Sequence, residues 1–250
     1  MTDSTEHIGV CKLCGQRTKL CHSHIVPEFC FKPLYETRKT ARHALEINLR
    51  VDGTRNIRTI QKGLREYMLC ASCEGCISKY ELQFKNYWYD DPGLPQKMDL
   101  RYEGIQMAGA DYASTKLFHL SVLWRAGMAR RFRNVSLGPY YSKTIGQMLL
   151  NSDPGSPESF PVFGTVLIDR DGTVNHGIIT EPVRSRFEHS RVYFMCYAGC
   201  EWNFTVTDHP TKAQAEVARA IDASGNIWLP YCIWSKSNSV TIAKKYIKRK

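Results

Sequence analysis

Two cysteine pairs and two neighbouring histidines carry most of the chemical content of this 250-residue chain. Cys11-Lys12-Leu13-Cys14 and Cys70-Ala71-Ser72-Cys73 share the spacing C-x-x-C. Each pair turns two thiolates toward one point, and two pairs make up the tetrahedral Cys₄ shell that zinc prefers. Between them runs Cys21-His22-Ser23-His24-Ile25-Val26-Pro27, a short extended segment closed by proline. As a strand, its period of two puts His22 and His24 on one face. Two imidazoles beside a metal-stapled turn suit either metal ligation or proton abstraction. Cys196, Cys200 and Cys232 have no second pair to partner them and read as small buried hydrophobes.

The elements that must position these groups follow from pattern. Ile47-Asn48-Leu49 and Ile57-Arg58-Thr59-Ile60 flank Asp52-Gly53 and predict a β-hairpin between the cysteine pairs. Tyr89-Asp90-Asp91-Pro92-Gly93-Leu94-Pro95 is a turn-rich linker dividing a module over residues 1–89 from a second domain over 96–250. In the second domain Leu117, Leu120, Trp124 and Met128 recur at spacings of three and four and predict an amphipathic helix from Tyr112 to Phe132. A shorter helix is expected to end near Leu150, and a later one spans Ala213–Ala223. Strands are expected over Phe160–Ile168, Thr173–Thr180, Arg191–Tyr197, Trp202–Thr207 and Ile227–Trp234. The fold class expected is α+β, with an antiparallel sheet in the second domain.

Taken in order, Cys11-x-x-Cys14, His24-Ile25-Val26-Pro27 and Leu69-Cys70-Ala71-Ser72-Cys73-Glu74 resemble the zinc-containing branch of the HNH, or His-Me finger, endonucleases over residues 9–82. The resemblance implies a zinc-stapled ββα-metal module and metal-dependent hydrolysis of phosphodiester bonds, with DNA favoured, by an enzyme of phage, mobile elements or antiviral defence. It makes His24 the general base and puts the helix ligand for a catalytic Mg²⁺ or Mn²⁺ at Glu74. The family's ligand beside the base is replaced by Ser23, which leaves His22, Glu28 or a loop carboxylate to complete the site. Glu66 stands where the family has its middle Asn, and as a carboxylate it would hold the tautomer of His24. The family's hairpin lies over the nucleic-acid backbone, which implies phosphate contacts for Arg55, Arg58 and Lys62.

The formal net charge is +10, and it is localised. Between Asp111 and Asp153 there are six bases and no acid: Lys116, Arg125, Arg130, Arg131, Arg133 and Lys143. A second acid-free stretch after Asp222 holds Lys236, Lys244, Lys245, Lys248, Arg249 and Lys250. Local positive potential is the footprint of a polyanion, so Arg130, Arg131 and Arg133 are expected to bind nucleic acid. With 43% hydrophobic residues the chain can bury a core, which excludes disordered and fibrous classes. No apolar window is long enough to span a membrane and MTDSTEHIG is no signal peptide, so a cytoplasmic protein is expected. The second domain, without a phosphate loop or nucleophile elbow, is expected to serve recognition, homo-oligomerisation or partner-protein binding. The competing functional reading is a zinc-containing adaptor that binds nucleic acid or a partner and cleaves nothing.

Overall fold

The computed structural model describes residues 7–36, 44–49, 55–60, 63–132, 134–218 and 220–241. The N-terminal part is built on a three-stranded antiparallel sheet of β1 (Ile8–Val10), β2 (Arg17–His24) and β5 (Arg65–Cys70), in the order β1-β2-β5. A 3₁₀ turn (Glu28–Phe31) and the short α1 (Lys32–Glu36) follow β2. An excursion then makes the predicted hairpin, in which β3 (Ala44–Leu49) pairs antiparallel with β4 (Arg55–Ile60). β5 runs directly into α2 (Ala71–Lys85), whose first turn begins where Cys70 leaves extended geometry at φ −77° and ψ 165°.

The rest of the chain wraps a second, six-stranded sheet around one long helix. β6 (Gly104–Met107) precedes α3 (Tyr112–Met128) and α4 (Gly138–Asn151); then come β7 (Val162–Ile168), β8 (Val183–Phe187), β9 (Ser190–Tyr197), β10 (Cys200–Val206), α5 (Lys212–Ala218) and β11 (Ile227–Ile233). The sheet order is β6-β11-β7-β10-β9-β8, and every pair is antiparallel except β11 with β7. The α+β class and the antiparallel sheet are as expected; the parallel pair is an addition, made by the return of the chain through α5. No described helix is long and apolar enough to cross a membrane.

Local chemistry explains the main boundaries. The Asp111 carboxylate accepts the Ser114 N–H at 2.7 Å and caps α3. Pro139 occupies the first turn of α4, where its missing N–H costs nothing, and Ser152 closes that helix in the left-handed region at φ 55°. Asp171-Gly172 does form a tight turn, with Gly172 at φ +88°. The returning segment 173–180 makes only isolated bridges, Lys97↔Thr173 and Ile168↔Val174, and is not the strand its composition predicts. β8, richer in arginine than a typical strand, pairs with β9 instead.

The residues on either side of the Tyr89–Pro95 linker share one core. Phe84 of α2 stacks on Phe118 of α3 with ring centroids 4.0 Å apart, and Trp88 meets Trp202 of β10 at 5.4 Å. The Trp88 indole N–H donates to the Ala198 carbonyl at 2.9 Å. α3 is the axis of this core. It is buried on all sides from Thr115 to Ala126, not amphipathic as its apolar spacing suggests. The polar residues that would make a solvent face are turned inward and paired: Lys116 donates to the Tyr112 hydroxyl at 3.1 Å and to the Ser156 carbonyl, and His119 Nδ1 shares a 2.7 Å hydrogen bond with the Tyr197 hydroxyl. Burial brings Lys116 down to about 7, with Asp153 opposing. Two of the six bases in the first acid-free stretch, Lys116 and Arg125, are therefore internal and add nothing to a surface patch.

The second acid-free stretch is anchored at its start. Glu201, buried in β10, accepts the N–H groups of Asn238 at 3.2 Å and Ser239 at 2.6 Å where a helical turn opens. A buried carboxylate at that end offsets exposed backbone donors. Lys244, Lys245, Lys248, Arg249 and Lys250 lie outside the described residues.

Candidate metal centre and histidine site

Cys11, Cys14, Cys70 and Cys73 converge. Their four Sγ atoms all lie within 4.8 Å of one another, and those of Cys14 and Cys70 are 3.8 Å apart. A zinc–sulfur bond of about 2.3 Å gives a tetrahedron whose edges are roughly 3.8 Å, so the cluster has the size of a zinc shell. Each half is set by its backbone. In the first knuckle the Gly15 N–H returns to the Cys11 carbonyl at 2.9 Å, with Gly15 at φ +77°, a conformation that favours glycine after the second thiol. In the second, the strand-to-helix junction puts Cys70 and Cys73 at the N-terminus of α2, where the helix dipole favours thiolates.

The halves are joined by the Cys70 N–H, which donates to Cys11 Sγ at 3.3 Å. Burial opposes ionisation of Cys11, but the N–H groups of Cys14, Cys70 and Leu13 together with the Cys14 thiol outweigh it and bring this thiol down to about 7. Burial and the three neighbouring thiols push Cys73 far up. Four thiolates can share this space only around a cation. Among the described residues no other group of three or more His, Cys, Asp or Glu side chains has metal-binding geometry. Cys196 and Cys200 are fully buried free thiols and Cys232 is half-buried, in keeping with the sequence reading.

His24 ends β2, opposite Arg65 on β5. Burial lowers it to about 4, with the charges of Arg65, Arg125 and His22 adding to the effect. The imidazole is therefore neutral at physiological pH, and its Nε2 accepts a 2.7 Å hydrogen bond from Arg65 Nε. Arg65 Nη2 reaches Glu28 Oε2 at 3.3 Å, and that oxygen stands 3.8 Å from His24 Nε2. Behind the site Arg125, 1% exposed, donates to the His24 carbonyl at 2.8 Å and to the Ser121 carbonyl and hydroxyl, and pairs with Glu81 of α2 at 2.8 Å. One buried guanidinium thus ties the end of β2 to both long helices.

The other expected site residues take different places. His22 does lie on the His24 side of the strand, as the period of two predicts, and it stacks on Tyr67 at 4.6 Å, with His7 on the same ring. Ser23 is 2% exposed and turned inward, its hydroxyl donating to the Cys21 carbonyl. Glu74 lies in the first turn of α2, near the Cys70 end of the ladder and away from the His24 end; its charge acts on Cys21, and one of its oxygens is buried without a hydrogen-bond partner. Glu66 does not hold His24. Its carboxylate accepts the N–H groups of Arg130 at 2.9 Å and Arg131 at 3.0 Å, fastening the turn after α3 one rung from the His24–Arg65 pair. Both arginines are exposed there. Arg55 and Arg58 fall on β4, while Lys62 and Arg133 lie outside the described residues.

An open groove of about 380 Å³ runs beside the first knuckle, with Lys12 and Lys143 on its lining over Leu13, Met128 and Leu150. The Lys12 ammonium is bonded to the Met128 carbonyl, so the knuckle is latched to the end of α3.

Arg65 and the Arg125–Glu81 pair have no place in the sequence reading. Arg65 becomes visible only through the β2–β5 register, which shifts at a bulge between Cys21 and His22. Among the described residues, those offered for a divalent ion do not gather at one point: His22 stacks on Tyr67, Glu28 is engaged by Arg65, Glu74 lies at the Cys70 end of the ladder, and Nε2 of His24 accepts from Arg65.

Two predictions follow from these contacts. Glu66→Gln should cost about 1–3 kcal/mol in urea unfolding, because two backbone N–H groups lose a charged acceptor. A change below a few tenths would mean that the latch contributes nothing. The second concerns pH. The unfolded chain takes up a proton near 6.5 that His24 refuses until about 4, so the unfolded state binds more protons in that window and stability must fall as pH drops through it. The His24 share is at most about 3 kcal/mol. Unfolding of wild type and His24→Gln at pH 7 and near pH 4.5 measures it: the wild type should lose more on acidification, and equal losses would contradict the lowered histidine.

No family model, curated protein or solved structure matches this chain.

Proposed function

We propose that the protein is an endonuclease of the HNH type that hydrolyses phosphodiester bonds, with DNA as the favoured substrate and His24 as general base. One observation carries the reading. A neutral histidine, its Nε2 lone pair directed at an arginine, stands at the end of a strand in a β2–β5–α2 unit whose strand-to-helix junction holds two cysteines of a four-cysteine cluster. The order of these elements agrees with the family's two strands and a helix. A base must be unprotonated to act, and His24 meets that condition throughout the neutral range.

The chain's own groups divide the work. Cys11, Cys14, Cys70 and Cys73 would hold a zinc ion that fixes the junction of β5 and α2. Arg125 holds the backbone of His24 in place through its carbonyl. Arg130 and Arg131, fastened beside the ladder by Glu66, offer two cations to a backbone phosphate near the site. The sheet built from β6 to β11 buries the far side of α2 and α3 and is the part suited to recognising a target or partner.

Incubation of purified protein with supercoiled plasmid, single-stranded DNA and RNA, each with and without added Mg²⁺ or Mn²⁺, tests the reading. Nicked or linear DNA should appear. If every substrate stays intact under every condition, the protein is a zinc-containing binding module instead.

A further inference from the structure

Resting on the nuclease reading, we infer that Arg65 takes the place of the divalent cation: its guanidinium, bridging His24 and Glu28 in the free protein, binds the scissile phosphate, and cleavage needs no catalytic metal. The charges around His24 argue for this. Arg65 lies on its ring nitrogen and Arg125 on its carbonyl, and among the described residues the carboxylates paired with these two cations are Glu28 and Glu81. A dication approaching Nε2 would meet one guanidinium in direct contact and a second just behind, and among the described residues the carboxylate beside it is Glu28, at 3.8 Å from Nε2. Mg²⁺ keeps several waters and is held by one or two carboxylates together with substrate phosphates, and here the carboxylate beside Nε2, Glu28, is already engaged by Arg65 at 3.3 Å. The orphaned oxygen of Glu74 does not supply a second carboxylate, because its charge falls on Cys21 and not on His24.

A guanidinium can do what the missing ion would. It is permanently charged, planar and forked, and it binds two phosphate oxygens at once while neutralising charge that builds up during attack. In the free protein the fork is occupied by Glu28 Oε2 at 3.3 Å and His24 Nε2 at 2.7 Å. A phosphodiester's two non-bridging oxygens replace both acceptors. The exchange releases the Nε2 lone pair, so the base is uncovered only when substrate is in place. A water oxygen then forms a bond to phosphorus and gives a proton to Nε2. The bond to the leaving oxygen breaks with its electron pair on that oxygen, which takes a proton from the imidazolium or from solvent. The products are a phosphate monoester end and a hydroxyl end.

The test uses the whole chain with its structural zinc intact, verified by elemental analysis after passage over a chelating resin. Plasmid nicking without added divalent metal should proceed within about twofold of the rate seen with Mg²⁺ or Mn²⁺. Arg65→Ala should lower it about 100-fold or more, and Arg65→Lys, which keeps the charge and loses the fork, should fall between. Zinc content and melting temperature confirm that either variant is folded. A second readout is independent of activity. In protein labelled at histidine, added Mn²⁺ should leave the ring signals of His24 no more broadened than those of buried His119. Cleavage that requires Mg²⁺ or Mn²⁺, or selective broadening of His24 by Mn²⁺, overturns the inference while leaving the nuclease reading in place. Full inactivity of wild type with every metal, with His24 unbroadened, overturns the nuclease reading and the catalytic role of Arg65 together.

Discussion

Cys70→Ser should yield a chain without zinc that is largely unfolded, whereas wild type should carry about one zinc per molecule. The expected effect is the largest in the protein, because a structural zinc site contributes roughly 10–16 kcal/mol of binding free energy that exists only in the folded chain. Cys70 matters in three ways at once. It would supply a thiolate, it stands at the junction where β5 turns into α2, and its N–H donates to Cys11 Sγ. Serine suits the N-cap position of α2 and leaves the backbone N–H in place, but it is not a soft ligand. Loss of helix signal, loss of zinc and a rise in protease sensitivity should appear together. A Cys70→Ser chain that melted like wild type without metal would show that the cluster is four buried thiols and no more.

Arg125→Ala should cost about 3–5 kcal/mol and lower the melting temperature by roughly 10 °C. Removing this 1%-exposed guanidinium leaves the Glu81 carboxylate unpaired at the helix interface and the His24 carbonyl without its donor. Replacing both members by apolar residues, Arg125→Met with Glu81→Met, should recover part of the loss, since a buried pair stabilises little beyond what its desolvation costs. The same substitution takes a cation away from His24, so the histidine should titrate higher, toward its ordinary value, in a histidine-labelled spectrum. A variant with unchanged melting and unchanged titration would remove Arg125 from the support of the site.

How much of this was legible in the sequence depended on the range of the interaction. The C-x-x-C spacing located the four clustered cysteines because a knuckle is a local turn, and Gly15 and the strand-to-helix junction at Cys70 are local as well. The period of two along 21–24 put His22 and His24 on one side because strand geometry is local. Arg125 misled the charge count. Its partners, Glu81 and the His24 carbonyl, are far away in the chain, and nothing near residue 125 marks it as internal. Lys116 misled it in the same way through Ser156. Glu66 was placed beside His24 by motif position, but the β2–β5 register sets it opposite Ser23, where the turn after α3 claims its carboxylate. The segment 173–180 has the composition of a strand, yet β10 pairs with β7 from Val162 to Val166, and the segment meets only the end of β7, through the Ile168↔Val174 bridge and the Asn175 N–H on the Leu167 carbonyl.

The most direct test of the central claim is the single-turnover rate of plasmid cleavage by zinc-loaded wild type and by His24→Ala at matched zinc content and melting temperature. Loss of a positioned general base should lower the rate about 10²- to 10⁴-fold. Equal rates in the two proteins, or no cleavage by either, would contradict His24 as the base of a nuclease.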